Sequence, residues 1–440
     1  MNERKVGIGD MRFYVPARSL DMAALVEARG EGRPDLGRRL ERALATTGQR
    51  AMRFPRPGED AATMAAAAAY ELLAANPGRS LANLRYVVAG TESGVDHAKP
   101  LSSYVIGMLE RAGMPLGHDL ASFQVQHACA GGSLGLLSVA SLLAASGREG
   151  DTGLVTASDV SRYDLGSTAE ITQGAGAAAI LVESRPRLLE IELGTVGYSS
   201  RDVDDFFRPL GSDSAKVKGS YSMECYVQAL EEAFSRHCEA AGAEPEQLLD
   251  STDILVLHTP FKAMPETAMR RLLKSRLGLG EGEASRWLDL RGFPSAVDIV
   301  ADIGNAYAAS LFIVLGAALR ERRASLGEGI VGKRVLIASY GSGNVMALFS
   351  ARVASGAPEV IDGWSGAWMS APAGAASVAD YERWRAGAEV PGEDEERLPF
   401  ILDHVRDDGY REYRHGRCRD HEGAQAGAAG DLREARALPC

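Results

Sequence analysis

Residues 122–145 read SFQVQHACAGGSLGLLSVASLLAA. The segment opens with a short run typical of a β-strand, at 122–125, and closes with an almost wholly apolar stretch at 134–145. A helix that is apolar all round is a buried helix. The order strand, Cys129, buried helix therefore predicts that this cysteine lies between a sheet and the N-terminus of an interior helix.

The same alternation of strand and helix continues on both sides of this segment. Strand-like apolar runs lie at 86–89, 154–157, 177–182, 254–257 and 335–338, and helical patterns lie around 104–109 and at 222–242 and 305–319. This alternation predicts an α/β protein with covered sheets and parallel strands. Two similarly organised halves, about 1–200 and 201–353, predict a duplicated body, with an excursion at 354–420 packed on it and a disordered tail at 421–440.

Composition excludes several classes of protein. The chain has 440 residues, 45% hydrophobic and 24% charged, unlike collagen-like, disordered or small disulfide-rich chains. Its 48 basic and 59 acidic residues give a net charge of −11, which disfavours nucleic acid as a partner. No apolar run approaches the roughly 20 residues expected of a membrane span, and the start shows no signal segment, so we expect a cytoplasmic protein. The 5 cysteines include no Cys-x-x-Cys pair, which argues against a disulfide framework or a structural zinc site.

Cys129 is the first candidate for chemistry. A cysteine beside a helix N-terminus has its thiolate stabilised by the helix dipole and by free backbone N–H groups. Gly131 and Gly132, which follow it, let a ligand approach the backbone closely. A buried structural cysteine is the alternative, since unpaired cysteines are commonly interior.

His258 and Glu92 each follow an apolar run predicted to be a strand. Ligands of α/β proteins bind at the carboxyl ends of strands, so both side chains are candidates for one site. His258 would be the proton partner of Cys129. Glu92, partly desolvated, would have a raised pKa and serve as a base. A satisfied histidine at a strand end and a helix-capping carboxylate are the alternatives.

Two further features flank predicted strands or helices. Asn305, at the predicted start of the second buried helix, would orient His258 or donate to a thioester oxygen, and the alternative is a helix N-cap. The glycine-rich segment 341–343 would place backbone N–H groups near an acyl oxygen, although one Gly-x-Gly does not make a dinucleotide site. The sequence contains no Walker A motif and no histidine-rich metal cluster.

Seven short motifs follow one another along the chain: GTESGVD at 90–96, HAC at 127–129, TQGAGA at 172–177, DFFRP at 205–209, HTPF at 258–261, GN at 304–305 and YGSG at 340–343. Together they resemble the 3-hydroxy-3-methylglutaryl-CoA (HMG-CoA) synthase family of the thiolase superfamily, over about residues 6–353. The resemblance implies a thiolase-like, duplicated α/β/α/β/α fold of five layers and a homodimer.

The resemblance also implies a role for each matching position. Cys129 would be the nucleophile that an acetyl thioester acylates, Glu92 the base that removes a proton from the acetyl methyl group, and His258 the residue that binds and protonates the second, β-ketoacyl thioester. Asn305 would lie near the thioester oxygen. The other implied substrate-binding residues are Tyr163, Phe206, Lys262, Gly341 and Ser342. Neither a metal nor a redox cofactor is implied, because the substrates are thioesters of CoA or phosphopantetheine.

Two positions depart from the family pattern. Ala130 stands where the family usually has an aromatic residue, a change that would widen the acyl pocket or alter its polarity. Lys262 directly follows Phe261, whereas many bacterial members carry a lysine two residues beyond that phenylalanine. The shift puts the contact between Lys262 and a CoA phosphate in question.

Two branches of the family are implied alternatives. One makes HMG-CoA from acetoacetyl-CoA for the mevalonate pathway, and the other adds an acetate unit to a β-ketoacyl chain on an acyl carrier protein during polyketide β-branching. The stretch 92–103 with the HTPF motif is closer to the second branch. An acidic carrier needs a basic patch, for which Arg208, Lys216, Lys218 and Lys262 are candidates. A ketoacyl synthase III-like decarboxylating enzyme and a thiolase-fold acyl-binding protein without turnover are further alternatives.

Overall fold

The computed structural model describes residues 5–77, 81, 83–370, 374–387 and 398–416. The strands are β1 Val6–Tyr14, β2 Arg18–Asp21, β3 Ala51–Phe54, β4 Leu84–Gly90, β5 Ala121–Val125, β6 Thr152–Val160, β7 Ala175–Ser184, β8 Leu189–Ile191, β9 Gly197–Ser200, β10 Phe206–Phe207, β11 Lys216–Val217, β12 Ile254–Leu257, β13 Arg334–Gly341, β14 Val345–Val353, β15 Gly374–Ala376, β16 Phe400–Val405 and β17 Arg411–His415.

The α-helices are α1 Met22–Gly30, α2 Pro34–Thr47, α3 Ala61–Ala75, α4 Leu101–Arg111, α5 Gly131–Ser146, α6 Gly219–Ala241, α7 Pro245–Asp250, α8 Ala263–Leu277, α9 Glu281–Leu290, α10 Phe293–Asp298, α11 Val300–Ile303, α12 Ser310–Leu326, α13 Ala357–Asp362, α14 Ala367–Ser370 and α15 Val378–Arg385. Short 3₁₀ helices lie at Thr168–Thr172, Leu193–Thr195, Tyr307–Ala309 and Gly327–Ile330.

The strand order repeats in the two halves of the chain. In the first half the order is β5-β4-β6-β7-β1, and in the second it is β12-β13-β14-β9. In each half a parallel pair, β4 with β6 or β12 with β13, is followed by antiparallel pairs, and the first half adds β5 parallel to β4. The predicted duplication is therefore present in the topology. The expectation of parallel strands is wrong in part, because β6–β7 and β13–β14 are consecutive strands that pair antiparallel; β8 pairs with both β1 and β14 and joins the halves into one mixed sheet.

Alternate residues of the first-half strands point into two different cores, as the pleat of a strand requires. Val88, Val155 and Ile180 pack in the core that contains α5 and α12. Their sequence neighbours, such as Val87 and Leu154, pack in the core that contains α3 and α4. On the far side, α12 contacts β12 while α6 contacts β9 and β14. Helices thus alternate with the strands of the first half and those of the second, in the order helix, strands, helix, strands, helix, which confirms the five-layer α/β fold.

The helix after Cys129 is the interior helix that the sequence predicts. By length and composition, Ala128–Ser146 would pass as a membrane span, contrary to the expectation that no apolar run is long enough. Within the protein, 61% of this apolar stretch is buried, and α5 packs on β4 and β6. Its apolar character is accounted for by this central position between the two halves.

Over its described residues, the chain after 353 packs on both halves of the body, with α13 on α12 and the later elements on the first half. Trp364 donates its indole N–H to Asp10 at 2.9 Å, and the ring of Trp368 lies 4.2 Å from that of Phe13. Strand β15 pairs with β2, and the β16–β17 hairpin packs on α3 and α4. The predicted tail at 421–440 lies outside the described residues.

Candidate active site

Cys129 lies in the short loop between β5 and α5. The preceding residue, Ala128, has φ of +40°, a left-handed conformation that is uncommon for a residue other than glycine. The loop abuts the end of β13: a Cβ placed on Gly341 would lie 2.7 Å from Cβ of Ala130 and 2.5 Å from the carbonyl oxygen of His127. Only glycine fits at 341. Neither Gly341 nor Ala130 lines the cavity at Cys129, and the expected effect of Ala130 on the acyl pocket stays a prediction.

The thiol of Cys129 is held in its protonated form. Burial raises its pKa well above the usual value, and the charges of Glu92, Asp159 and Asp205 raise it further. The expected stabilisation of a thiolate by the helix N-terminus is therefore wrong for the free enzyme. A helix dipole contributes about 1 kcal/mol, whereas full burial of an ionisable group costs several.

A cavity of about 620 Å³ brings together most of the predicted site residues. The predicted residues that line it are Cys129, Tyr163, Phe206, His258, Asn305 and Ser342. Lys262 does not line it, although its neighbour Phe261 does. The ammonium of Lys262 instead lies 2.6 Å from the carboxylate of Asp298.

His258 is fixed at the end of β12 by its backbone. Its N–H donates to the carbonyl of Ala338 at 2.8 Å, and its carbonyl accepts from the Tyr226 hydroxyl at 2.9 Å. Burial lowers the pKa of the imidazole to about 3, so the ring is neutral. Nδ1 makes no hydrogen bond with the described residues. A neutral ring with a free nitrogen can accept a proton inside the cavity.

Glu92 follows β4 and is held by its backbone. Its N–H donates to the carboxylate of Asp159 at 2.9 Å, which also accepts from the N–H of Ser93 and the hydroxyl of Thr91, each at 2.8 Å. Burial and the charge of Asp159 raise the pKa of Glu92 to about 8, while Arg208 acts to lower it. The Oε2 atom has no hydrogen-bond partner among the described residues.

The Glu92 side chain opens on a second cavity of about 1030 Å³ beside the first. Phe206 lines both cavities, and the carboxylate acts electrostatically on the Cys129 thiol. Of the three residues expected to do the chemistry, Cys129 and His258 thus share one cavity, and Glu92 lies in the neighbouring one, near enough to act on the thiol. Glu92 is adjacent to the cysteine cavity and does not line it.

Two residues beside Glu92 were not predicted to act there. Asp159 was not predicted to be a site residue, and Arg208 was predicted to belong to a basic patch. Asp159, fully buried near the end of β6, also accepts from the N–H of Ala308 at 2.9 Å and so ties the Glu92 loop to the loop after Asn305. An acidic residue two positions after the strand-like run at 154–157 is a signal that could have found it. Arg208 donates to the carbonyl of Glu92 and lies 3.4 Å from its Oε1.

Asn305 shapes the turn that leads into the second buried helix. Its Oδ1 accepts from the N–H of Tyr307 at 2.9 Å and from the Ser310 hydroxyl at 3.2 Å. Because Tyr307 has φ of +42°, the α-helix begins at Ser310 and not at the predicted 305. Asn305 therefore lines the cavity, and the capping alternative is wrong, because the N-cap residues of the two helices that follow are Ala306 and Ala309.

Three aromatic rings surround the cysteine cavity. Tyr163, Phe206 and Tyr307 contact one another edge to face, with ring centroids 5.7 to 6.3 Å apart. Tyr163 and Tyr307 pack with Cys129 in one small apolar cluster. Such a wall restricts the size of a group attached to the sulfur and keeps water away from it.

The residues expected to form a basic patch each have an acidic partner. The partners are Glu92 for Arg208, Asp164 for Lys216, Asp204 for Lys218 and Asp298 for Lys262. Lys216, Lys218 and Lys262 are therefore paired with acidic side chains, whereas Arg208 lies beside a Glu92 whose raised pKa keeps it largely protonated, and the expected patch stays a prediction. Within the described ranges, no group of three or more His, Cys, Asp and Glu could hold a metal ion.

Family models for hydroxymethylglutaryl-coenzyme A synthase match most of the chain. The N-terminal model matches residues 2–186, and the C-terminal model matches 191–277 and 291–363. The chain belongs to the HMG-CoA synthase family. It is a condensing acyltransferase with the thiolase-like fold of that family.

The relatives come from both branches of the family. The hydroxymethylglutaryl-CoA synthase of Enterococcus faecalis is 30% identical over 353 residues, 80% of this chain and 84% of that protein. The polyketide 3-hydroxy-3-methylglutaryl-ACP synthase PksG of Bacillus subtilis is 28% identical over 297 residues, 65% of this chain and 67% of that protein.

Solved structures show the same likeness. MvaS in complex with 3-hydroxy-3-methylglutaryl coenzyme A superposes with a TM-score of 0.82 at 30% identity, over 94% of this chain and 99% of that one. The curacin pathway HMG synthase in complex with holo donor-ACP gives 0.78 at 25% identity, over 94% and 100%.

Proposed function

We propose that this enzyme condenses an acetyl group, held as a thioester on Cys129, with the β-ketone of a β-ketoacyl chain on an acyl carrier protein. One observation carries the proposal: Cys129 and His258 line a single cavity beside the buried carboxylate of Glu92. A nucleophile, a neutral proton acceptor and a weakly acidic carboxyl group suit the three proton-dependent steps of this chemistry.

The first step is acylation of Cys129. Because the thiol is protonated, its proton must leave as the sulfur attacks the acetyl carbonyl, and the neutral ring of His258 is the candidate acceptor. The acetyl–sulfur bond of the donor breaks, and the departing thiolate takes that proton. The Cys129 thioester and a free donor thiol result.

The second step forms the carbon–carbon bond. The carboxylate of Glu92 takes a proton from the acetyl methyl group, and the resulting enolate carbon attacks the β-ketone of the acceptor. His258 donates a ring proton to the new alkoxide. Glu92 then passes to His258 the proton that it took from the methyl group. Water then attacks the Cys129 thioester, releasing the carboxylic acid and the thiol. The reaction so written needs neither a metal nor a redox cofactor.

Two arginines at the opening of the cavity support a phosphopantetheine or CoA substrate. Arg39 and Arg42 on α2 line the cavity and are exposed, and neither forms an ion pair with a described residue. Free guanidinium groups bind phosphate well, and both thioester carriers present a phosphate at the end of the pantetheine arm. The same two charges are favourable for an acidic carrier protein.

Intact mass measurement after incubation with acetyl-carrier protein or acetyl-CoA tests the chemistry. We expect an acetyl adduct on the wild type and on Cys238→Ser, a matched control in which another buried free cysteine is changed, and none on Cys129→Ser. Glu92→Gln should acquire the adduct but not condense. Condensation by Glu92→Gln would instead indicate a decarboxylating mechanism, and no adduct with either donor would indicate a binding protein.

A second assay separates the two branches. Turnover is compared between acetoacetyl-CoA and acetoacetyl-carrier protein as acceptors, with the donor held constant. We expect a higher kcat/KM for the carrier-bound acceptor. A preference for acetoacetyl-CoA would favour an HMG-CoA synthase of the mevalonate pathway, the alternative that the 30% identity to the Enterococcus faecalis enzyme supports.

We also propose a cytoplasmic homodimer. Strand β5 is the last strand of the sheet order, and its residues are half-exposed or exposed. The edge of β5 that faces away from β4 has no strand partner in the described part of the chain. The β5 strand of a second copy, related by a twofold axis, can pair with this edge. Sedimentation equilibrium should give the dimer mass, and a monomer mass at micromolar concentration would contradict the proposal.

A further inference from the structure

Helix α15 lies beyond the residues that the family models match, yet it is packed firmly on the body. The models end at residue 363, and α15 begins after Ser377, whose hydroxyl caps it by accepting from the N–H of Asp380 at 3.1 Å. The rings of Tyr381 and Trp384 lie 5.7 and 5.4 Å from that of Phe54. The helix is therefore fixed to the body through Phe54.

Helix α15 also holds the backbone of Tyr163. It holds the N–H of Tyr163 through Gln173 and the carbonyl directly. The Tyr163 N–H donates to Oε1 of Gln173 at 2.7 Å, and Nε2 of Gln173 donates to the Tyr381 hydroxyl at 2.6 Å. The Tyr163 carbonyl accepts from the guanidinium of Arg385 at 3.2 Å. Arg385 also donates to the Ser214 hydroxyl at 3.1 Å, so it connects two loops beside the cavity.

The same support reaches a second wall of the cavity. The carbonyl of Thr172, next to Gln173, accepts from the N–H of Asn305 at 2.9 Å. Holding Gln173 in place thus fixes the segment that carries Asn305 as well as the N–H of Tyr163. Tyr163 and Asn305 both line the cavity at Cys129.

We propose that α15 is a positioning element of the acyl site, in which Tyr381 and Arg385 fix the Tyr163 backbone and thereby the gap between its ring and Cys129. The inference rests on the proposed function, since it assigns the cavity at Cys129 to the acyl group. Tyr381 and Arg385 are positioning residues and touch no substrate. Displacing the Tyr163 ring changes both the alignment of the acetyl donor and the size of the acyl group that fits.

The test uses the full chain and two variants. Tyr381→Phe keeps the buried ring but removes the hydroxyl that accepts from Gln173, and Arg385→Gln removes the guanidinium. Arg383→Gln is the matched control, because its side chain pairs with Asp380 on the exposed side of the same helix. The rate of acetyl-adduct formation and the ratio of propionyl to acetyl adduct are read by intact mass.

For the double variant, which combines Tyr381→Phe and Arg385→Gln, we expect acetylation to be slowed by about tenfold. An ångström-scale misplacement costs about ten- to a hundredfold in rate. The propionyl-to-acetyl ratio should rise several-fold, while the control keeps the wild-type values. The single Tyr381→Phe variant should shift the ratio in the same direction, and Arg385→Lys, which retains a donor, should restore most of it.

The two possible failures are distinguishable. If the wild type is acetylated and the folded variants match it in both rate and ratio, the positioning role is overturned and the proposed function stands. If the wild type acquires no adduct, the proposed function fails first. A loss of rate without any change in ratio would mean general destabilisation and would also overturn the proposal.

Discussion

Replacing Glu92 by glutamine is expected to stabilise the protein at alkaline pH while it abolishes condensation. Burial and Asp159 raise the pKa of Glu92 from 4.5 to about 8. At about 1.36 kcal/mol per pKa unit, the folded state disfavours the ionised carboxylate by about 5 kcal/mol. The proposed reaction uses this carboxyl group as a base. The burial that raises its pKa therefore lowers the free energy of unfolding when the carboxylate is ionised.

The sign follows from proton binding. Between pH 4.5 and 8 the unfolded chain has released the Glu92 proton while the folded protein retains it, so stability falls as pH rises through this window. About 3 to 4 kcal/mol of the loss falls between pH 5 and pH 8. Glutamine lacks this slope and keeps an oxygen for Arg208. Its amide N–H₂ would replace an Oε2 that has no partner among the described residues, which costs about 1 to 3 kcal/mol at every pH.

Urea denaturation of both proteins at pH 5 and pH 8, at one protein concentration, measures the difference. Relative to the wild type, Glu92→Gln should gain about 3 to 4 kcal/mol of unfolding free energy on going from pH 5 to pH 8. Glu232→Gln is the control without a slope, because the hydrogen bond from Arg201 holds the pKa of Glu232 below its usual range, so this carboxylate changes stability only at pH values below this window. A difference between Glu92→Gln and wild type that is the same at both pH values would refute the reasoning.

Three further changes have defined outcomes. Arg208→Gln should move the pH–rate profile of condensation to higher pH, because Arg208 lowers the pKa of Glu92; an unmoved profile would show that the pair does not form. Ala130→Phe should lower the unfolding free energy by about 1 to 3 kcal/mol, since overpacking against Gly341 leaves no room for a ring, and an unchanged urea midpoint would mean that room exists. Arg42→Ala should raise KM for the carrier-bound acceptor with little change in kcat, most strongly at low salt, and an equal KM would remove this side chain from the docking surface.

The central elements of the fold and the main site residues were predictable because they follow local rules. The interior helix α5 is apolar on every face, and β4, β6, β7, β12 and β13 are short runs of β-type apolar residues. Glu92 and His258 were found because they follow such strands closely, and Cys129 because it lies just before the buried helix. By contrast, β1 was not found, since its buried Asp10 and Arg12 neutralise each other and break the apolar pattern.

By itself the sequence determined the α/β class and the place of Cys129 between a strand and a buried helix, since these are neighbours along the chain, while the family and the layer order came from the resemblance of its motifs. Only the tertiary structure decided the charge state of the site and which cations are free. Arg208 meets Glu92 across 116 positions and Arg385 meets Tyr163 across 222, and no local pattern encodes such pairs. Burial and distant carboxylates set the pKa of a side chain, and both arise only when the chain has folded.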